Sequence, residues 1–138
     1  MRRVLVPIDG SEGSTRALDY LAARRKQGER CEVLLLNVQP PMPSSRFVSK
    51  RMIREHQDAE SEKALGTAKV RAMQKLLGAD AYSEVGEPAE TIVKFAQKTG
   101  CHEIVMAARG LGRWKGLILG SVATKVVQLS PLPVVIVK

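Results

Sequence analysis

Arg3-Val4-Leu5-Val6-Pro7-Ile8 is a near-continuous apolar run that leads through Asp9-Gly10-Ser11 into a segment of different periodicity. From Glu12 to Lys26 the apolar residues Ala17, Leu18, Leu21 and Ala22 fall on one helical stripe, and Gly28 follows as a stop. A short run without polar alternation is the pattern of a parallel strand covered on both faces. Strand, loop and amphipathic helix in that order predict the first half of a βαβ unit.

The same alternation recurs outward from this stretch. Val33-Leu34-Leu35-Leu36-Asn37-Val38 repeats the buried-strand pattern, and Pro40, Pro41 and Pro43 then force a loop. A long helix follows, with Leu65, Ala68, Ala72 and Leu76 at three- and four-residue spacings and Gly78 expected to end it; Arg46 to Gln57 carries a weaker pattern, expected to be mobile. Ala79 to Val85 predicts a half-polar strand. Pro88 opens a helix bearing Ala89, Ile92, Val93 and Ala96, which Gly100 closes. Glu103 to Ala108 is a fourth apolar run, Val122, Val126 and Leu129 mark a last helix, and Leu132 to Val137 a last strand. Five strands joined by four helical crossovers predict one doubly wound α/β domain over residues 1–138, a parallel sheet with helices on both faces. Ligands of such sheets bind at the strands' carboxyl ends, which directs attention to the loops after strands one and four.

Composition narrows the classes. A chain of 138 residues buries about 68% of its unfolded surface, and 44% apolar with 26% charged residues is ordinary globular usage. No apolar run approaches the roughly 20 residues of a membrane span, so the expectation is a soluble cytoplasmic protein without membrane insertion. The net charge of +8 is spread over residues 1–30, 46–77 and 109–138 and reads as solvated helix faces, which argues against nucleic acid as a partner. Cys31 and Cys101 are too few for a disulfide framework or a metal cluster and read as small buried hydrophobes.

The fourth strand runs into Arg109-Gly110-Leu111-Gly112-Arg113-Trp114-Lys115-Gly116-Leu117-Ile118-Leu119-Gly120-Ser121. Glycines between a buried strand and a helix let backbone N–H groups approach an anion without Cβ interference, so phosphate is the natural guest. Arg109 and Lys115 beside them would neutralise a triphosphate, or simply face water. Neither GxxxxGK[ST] nor GxGxxG is present. Ser121 also suits a helix N-cap, Asp9 a brace for the first turn, and Trp114 a loop anchor or partner contact.

The whole arrangement closely resembles the universal stress protein family: Val6-Pro7-Ile8-Asp9-Gly10-Ser11, Leu36-Asn37-Val38, Gly86-Glu87-Pro88-Ala89, Arg109-Gly110, nine intervening residues, Gly120-Ser121-Val122, and the closing Pro131-Leu132-Pro133-Val134-Val135-Ile136-Val137. The resemblance spans the chain. It implies strand order 3-2-1-4-5 and, as in many members, ATP across the sheet's carboxyl edge, with Mg²⁺ as a possible companion. It implies Asp9 and Pro7 at the base and ribose, Val38 offering backbone hydrogen bonds to adenine, and Gly110, Gly120, Ser121 and Val122 at the phosphates. Ala107 stands where the nucleotide-binding branch has its first motif glycine. A methyl there matters if the position needs a positive φ or touches phosphate, and costs little if it is still strand.

In the family's strand order Cys31 and Cys101 flank strand one, about 9.6 Å apart and beyond disulfide reach. Val134 to Val137 becomes an uncharged apolar edge, and the resemblance implies that it pairs with its copy to give a homodimer. His56 lies in a polar helix and His102 at the amino edge, so no catalytic set and no metal site is expected. The reading is a non-enzymatic ATP-binding stress-response module with unknown protein partners. Its alternatives are a slow ATPase or phosphotransferase, and a dimeric interaction protein without nucleotide.

Overall fold

The structure, a computed structural model, describes residues 1–108 and 119–138. Strand β1 (Arg2–Pro7) passes through a 3₁₀ turn (Gly13–Thr15) to helix α1 (Arg16–Lys26); β2 (Cys31–Gln39) leads to α2 (Lys50–Gln74); β3 (Ala79–Val85) to α3 (Pro88–Lys98); β4 (Glu103–Ala107) precedes α4 (Ser121–Leu129) and β5 (Val134–Val137). All four strand pairings are parallel, in the order β3-β2-β1-β4-β5. The expected sheet and strand order are both present.

Unbroken apolar runs are explained by burial on both faces. Within β1, Val4 and Val6 turn to one side and join Leu18, Leu21, Leu65 and Ala68 of α1 and α2. Leu5 turns to the other and packs with Ile92, Ala96 and Val126 of α3 and α4. Period-two alternation persists, but both destinations are apolar.

Helix α2 begins well before its strongly periodic part. The Ser49 hydroxyl accepts the Met52 N–H at 3.2 Å as its N-cap, and Ile53 and Gln57 are buried. The expectation of a mobile segment from Arg46 to Gln57 therefore gives way to a capped helix from Lys50 onward. Asp19 of α1 receives two hydrogen bonds from Arg71 of α2, at 2.9 and 2.8 Å, and these hold its carboxyl below the usual range against the opposing effect of burial. At the sheet's amino edge the buried Glu103 carboxylate joins Arg2 and Arg24, at 2.8 and 2.9 Å.

Three helices end in the same hydrogen-bond pattern. After α1, Glu29 N–H reaches Arg24 C=O with Gly28 at φ +94°; after α3, Cys101 N–H reaches Ala96 C=O with Gly100 at φ +68°. After α2, Leu77 N–H reaches Ala72 C=O, but the residue in the left-handed conformation is Leu76, at φ 58°. Gly78 does not end that helix, and Leu76 is exposed rather than part of the buried stripe; Leu77 goes inside instead. The six-to-one bond fixes the end wherever its geometry closes, whether or not glycine occupies the strained position.

Since Leu76 carries about 1–2 kcal/mol of left-handed strain and the residue is 77% exposed, Leu76→Gly should raise stability. Glycine's greater unfolded-state freedom removes part of the gain, leaving up to about 1 kcal/mol. Urea unfolding should show a higher midpoint at unchanged slope; an unchanged or lower midpoint would count against strain at Leu76.

Candidate functional site

The carboxyl edge is shaped by strands of unequal reach. Strand β1 stops at Pro7, whereas β2 continues to Gln39. Leu36 turns its carbonyl toward β1 and accepts the Ile8 N–H at 2.8 Å. Gln39 turns its carbonyl the other way and accepts the Gly86 N–H at 3.0 Å. Peptide groups alternate along a strand, so Val38 shares the direction of Leu36 and presents its N–H and C=O past the end of β1.

Asn37 secures that ending. Its side chain is buried, its Nδ2 donates to the Ile8 carbonyl at 2.8 Å, and its Oδ1 accepts from Gln39 Nε2 at 2.8 Å. The chain then turns through Asp9, whose Oδ1 accepts from the Ser11 N–H at 2.8 Å and the Ser11 hydroxyl at 2.6 Å. Ser14 closes the next turn by donating its hydroxyl to the Ser11 carbonyl at 2.8 Å. Asp9 thus braces the first loop. Gly10 between them has φ +90°, and a Cβ there would lie 3.2 Å from the Ala64 Cβ of α2.

Opposite this loop, Ala107 is the last residue of β4 and sits in register with Val137. Its backbone is ordinary strand, and its methyl forms part of the cleft floor. The position therefore does not need a glycine's φ. Gly120 is the N-cap of α4 and Ser121 its first helical residue, so Ser121 is not the capping residue; its side chain stands exposed at the helix start. The N–H groups of the first turn, from Ser121 onward, have no intrahelical acceptor. Arg109 and Gly110, with Arg113, Trp114 and Lys115, lie outside the described residues.

These parts border one cleft of about 700 Å³, lined by Val38 on the β2 side, Pro7 and Asp9 after β1 in the middle, and Ala107, Gly120 and Val122 on the β4 and α4 side; Ser121 is not among its lining residues. That volume is within the range of small-molecule sites. Two cleft features were not legible in the sequence. Asn37 reads there as one more residue of an apolar run, although a lone amide inside such a run signals that some backbone group needs a partner. Arg16 reads as surface charge, yet it lines the cleft and donates from Nη2 to the Ala108 carbonyl at 3.0 Å.

Other candidate groups lie elsewhere. His56 is exposed on α2, and His102 accepts the Arg3 N–H through Nδ1 at the amino edge. Cys31 and Cys101 sit on either side of β1, and burial pushes both thiols up. Among the described residues no cluster of three or more His, Cys, Asp or Glu side chains is placed to hold a metal ion, and no helix is long and apolar enough to cross a membrane.

The universal stress protein family profile matches residues 1–138. Universal stress protein YxiE of Bacillus subtilis is 34% identical, over 99% of this chain and 98% of its own length. The solved structure of universal stress protein UspA from Lactobacillus plantarum superposes with a TM-score of 0.80 at 21% identity, covering 99% of this chain and 97% of that one. A universal stress protein solved in complex with cAMP gives a TM-score of 0.72 at 25% identity, with coverages of 99% and 97%.

Replacing Asn37 by Val should leave the Ile8 carbonyl buried without its donor and cost about 1–3 kcal/mol. Equilibrium urea unfolding measures this directly. A loss below about 0.5 kcal/mol would show that the amide does not hold the end of β1.

Proposed function

The chain belongs to the universal stress protein family, and from that footing we propose that it is a cytoplasmic, non-enzymatic adenine-nucleotide-binding module of the stress response, taking ATP and acting as a homodimer. The observation that carries this reading is the division of labour within one cleft. Val38 offers a donor and an acceptor side by side, the pair that an adenine edge requires. Some distance away the free N–H groups of the α4 first turn and the positive end of its dipole suit phosphate. Asp9 and Pro7 lie between these ends on the β1 side, where the ribose belongs. The relative solved with cAMP supports an adenine nucleotide as ligand.

ATP, when bound, would contribute its phosphates as the main ligands of any Mg²⁺, since that ion keeps waters and takes few protein carboxylates. The chain's residues then bind and orient rather than cleave. Asp9 Oδ1 is already occupied by Ser11, and His56 and His102 lie away from the cleft, which supports a binding role over hydrolysis. Ala107 favours one rival reading, a dimeric interaction protein without nucleotide, because its methyl narrows the floor; its ordinary strand backbone favours the first. Protein partners would read the nucleotide-dependent state of the loops.

The dimer is supported by β5. Ile104 N–H donates to Pro133 C=O at 3.0 Å and Ala108 N–H to Val137 C=O at 2.7 Å, so residues 133, 135 and 137 face β4. Val134 and Ile136 consequently turn their backbone groups outward along an apolar edge that carries no charge to blunt pairing.

Denaturing the purified protein and identifying released nucleotide by mass spectrometry, followed by calorimetry with ATP and AMP, tests the ligand. Adenine nucleotide should appear in one assay or both; absence from both would leave the interaction protein as the reading. Light scattering should give twice the 15.1 kDa chain mass. Ile136→Pro, which removes an outward N–H and leaves the β4 ladder its donors, should give a monomer.

A further inference from the structure

Arg16 lines the cleft, and its chemistry has no part in the nucleotide contacts assigned above. Its guanidinium lies against Gly13, where a Cβ would stand 3.2 Å from Nη2 and 3.5 Å from Cζ. Its Nη2 donates to the Ala108 carbonyl at the end of β4. Its Nε is buried and, among the described residues, is the one buried side-chain polar atom without a hydrogen-bond partner. Arg2, Arg3, Arg24 and Arg71 all meet carboxylates, but no ion pair among the described residues includes Arg16.

A guanidinium with a carbonyl on one nitrogen, a buried unpaired N–H on another and no ion pair among the described residues is incomplete as a structural element. A packed Arg normally satisfies its donors, because burying a cation without a partner is unfavourable. An anion in the cleft would supply the missing charge at the part of the guanidinium that lines it, and the planar fork suits phosphate. The contacts with Gly13 and Ala108 hold it at the cleft wall before any ligand arrives, so little ordering remains to be done on binding.

We propose that Arg16 is the cationic centre of a phosphate subsite on the α1 wall of the cleft, separate from the first turn of α4. The inference rests on the nucleotide reading and assigns to Arg16 the discrimination of nucleotides from nucleosides. Gly13 is its companion: it keeps clear the space in which the guanidinium lies.

Calorimetric titration of the full chain with adenosine, AMP and ATP, alongside Arg16→Gln and Gly13→Ala, tests this. AMP and ATP should bind the unaltered chain more tightly than adenosine. In Arg16→Gln that advantage should shrink at least about tenfold, the share of one charged hydrogen bond, with adenosine affinity unchanged. Gly13→Ala, which displaces the guanidinium but keeps its charge, should give a smaller loss of the same kind, and it serves if Arg16→Gln melts early. An Arg16→Gln chain that keeps the whole AMP-over-adenosine advantage overturns the subsite and leaves the nucleotide reading intact. If the unaltered chain binds none of the three, that reading falls. The subsite then stands only if sodium pyrophosphate raises the melting temperature of the unaltered chain and not of Arg16→Gln, and it falls if both respond alike.

Discussion

The hydrogen bond from Asn37 to the Ile8 carbonyl ties the end of a central strand to a neighbour that outruns it. Much of the carboxyl edge follows from this tie. Because β1 stops and β2 does not, Val38 faces the cleft instead of another strand. Because Ile8 is fixed from both its N–H and its C=O, the chain leaves the sheet along one path, and Asp9, Ser11 and Ser14 settle into successive turns at a defined height above the floor. A polar side chain within an apolar strand is unfavourable unless satisfied, and here the satisfied group also defines the cleft.

The two ends of the sheet use charge in opposite ways. At the amino edge, Glu103 is buried but enclosed by Arg2 and Arg24, so its charge is compensated within the chain. At the carboxyl edge, Arg16 is left uncompensated by the described residues and the α4 amides have no intrahelical partner. One end is complete in itself, whereas at the other the described residues leave donors without partners. That asymmetry is the usual arrangement of open parallel sheets, in which binding collects at the carboxyl ends.

The architecture was largely legible in the sequence because β1, β2 and β4 are short runs buried on both faces and α1 and α3 carry narrow apolar stripes with glycine stops. The α2 boundaries were less so. Its start depends on Ser49 and on burial of Ile53 and Gln57, contacts that periodicity does not report, and its end depends on a backbone hydrogen bond that placed Leu76, not a glycine, in the left-handed position. In the site, Pro7, Asp9, Val38, Ala107, Gly120 and Val122 do converge on one cleft, but that convergence was read from resemblance, since positions so far apart in the chain meet only through topology. The roles of Asn37 and Arg16 are not legible in the sequence for one reason. Their roles are set by a single neighbouring carbonyl, and a carbonyl has no signature in the sequence.

The contact between Gly10 and Ala64 has an evolutionary consequence. A Cβ at position 10 would already press on the methyl at position 64, and the positive φ at Gly10 disfavours any other residue there. A larger side chain at 64 would press on the loop after β1. The two positions therefore form one heritable unit, and variation at the face of a long helix is constrained by a turn far from it in the chain. Drift along α2 should be freest where it clears the loop and narrowest at this point, so the turn that shapes the carboxyl edge leaves an imprint on a helix residue outside it.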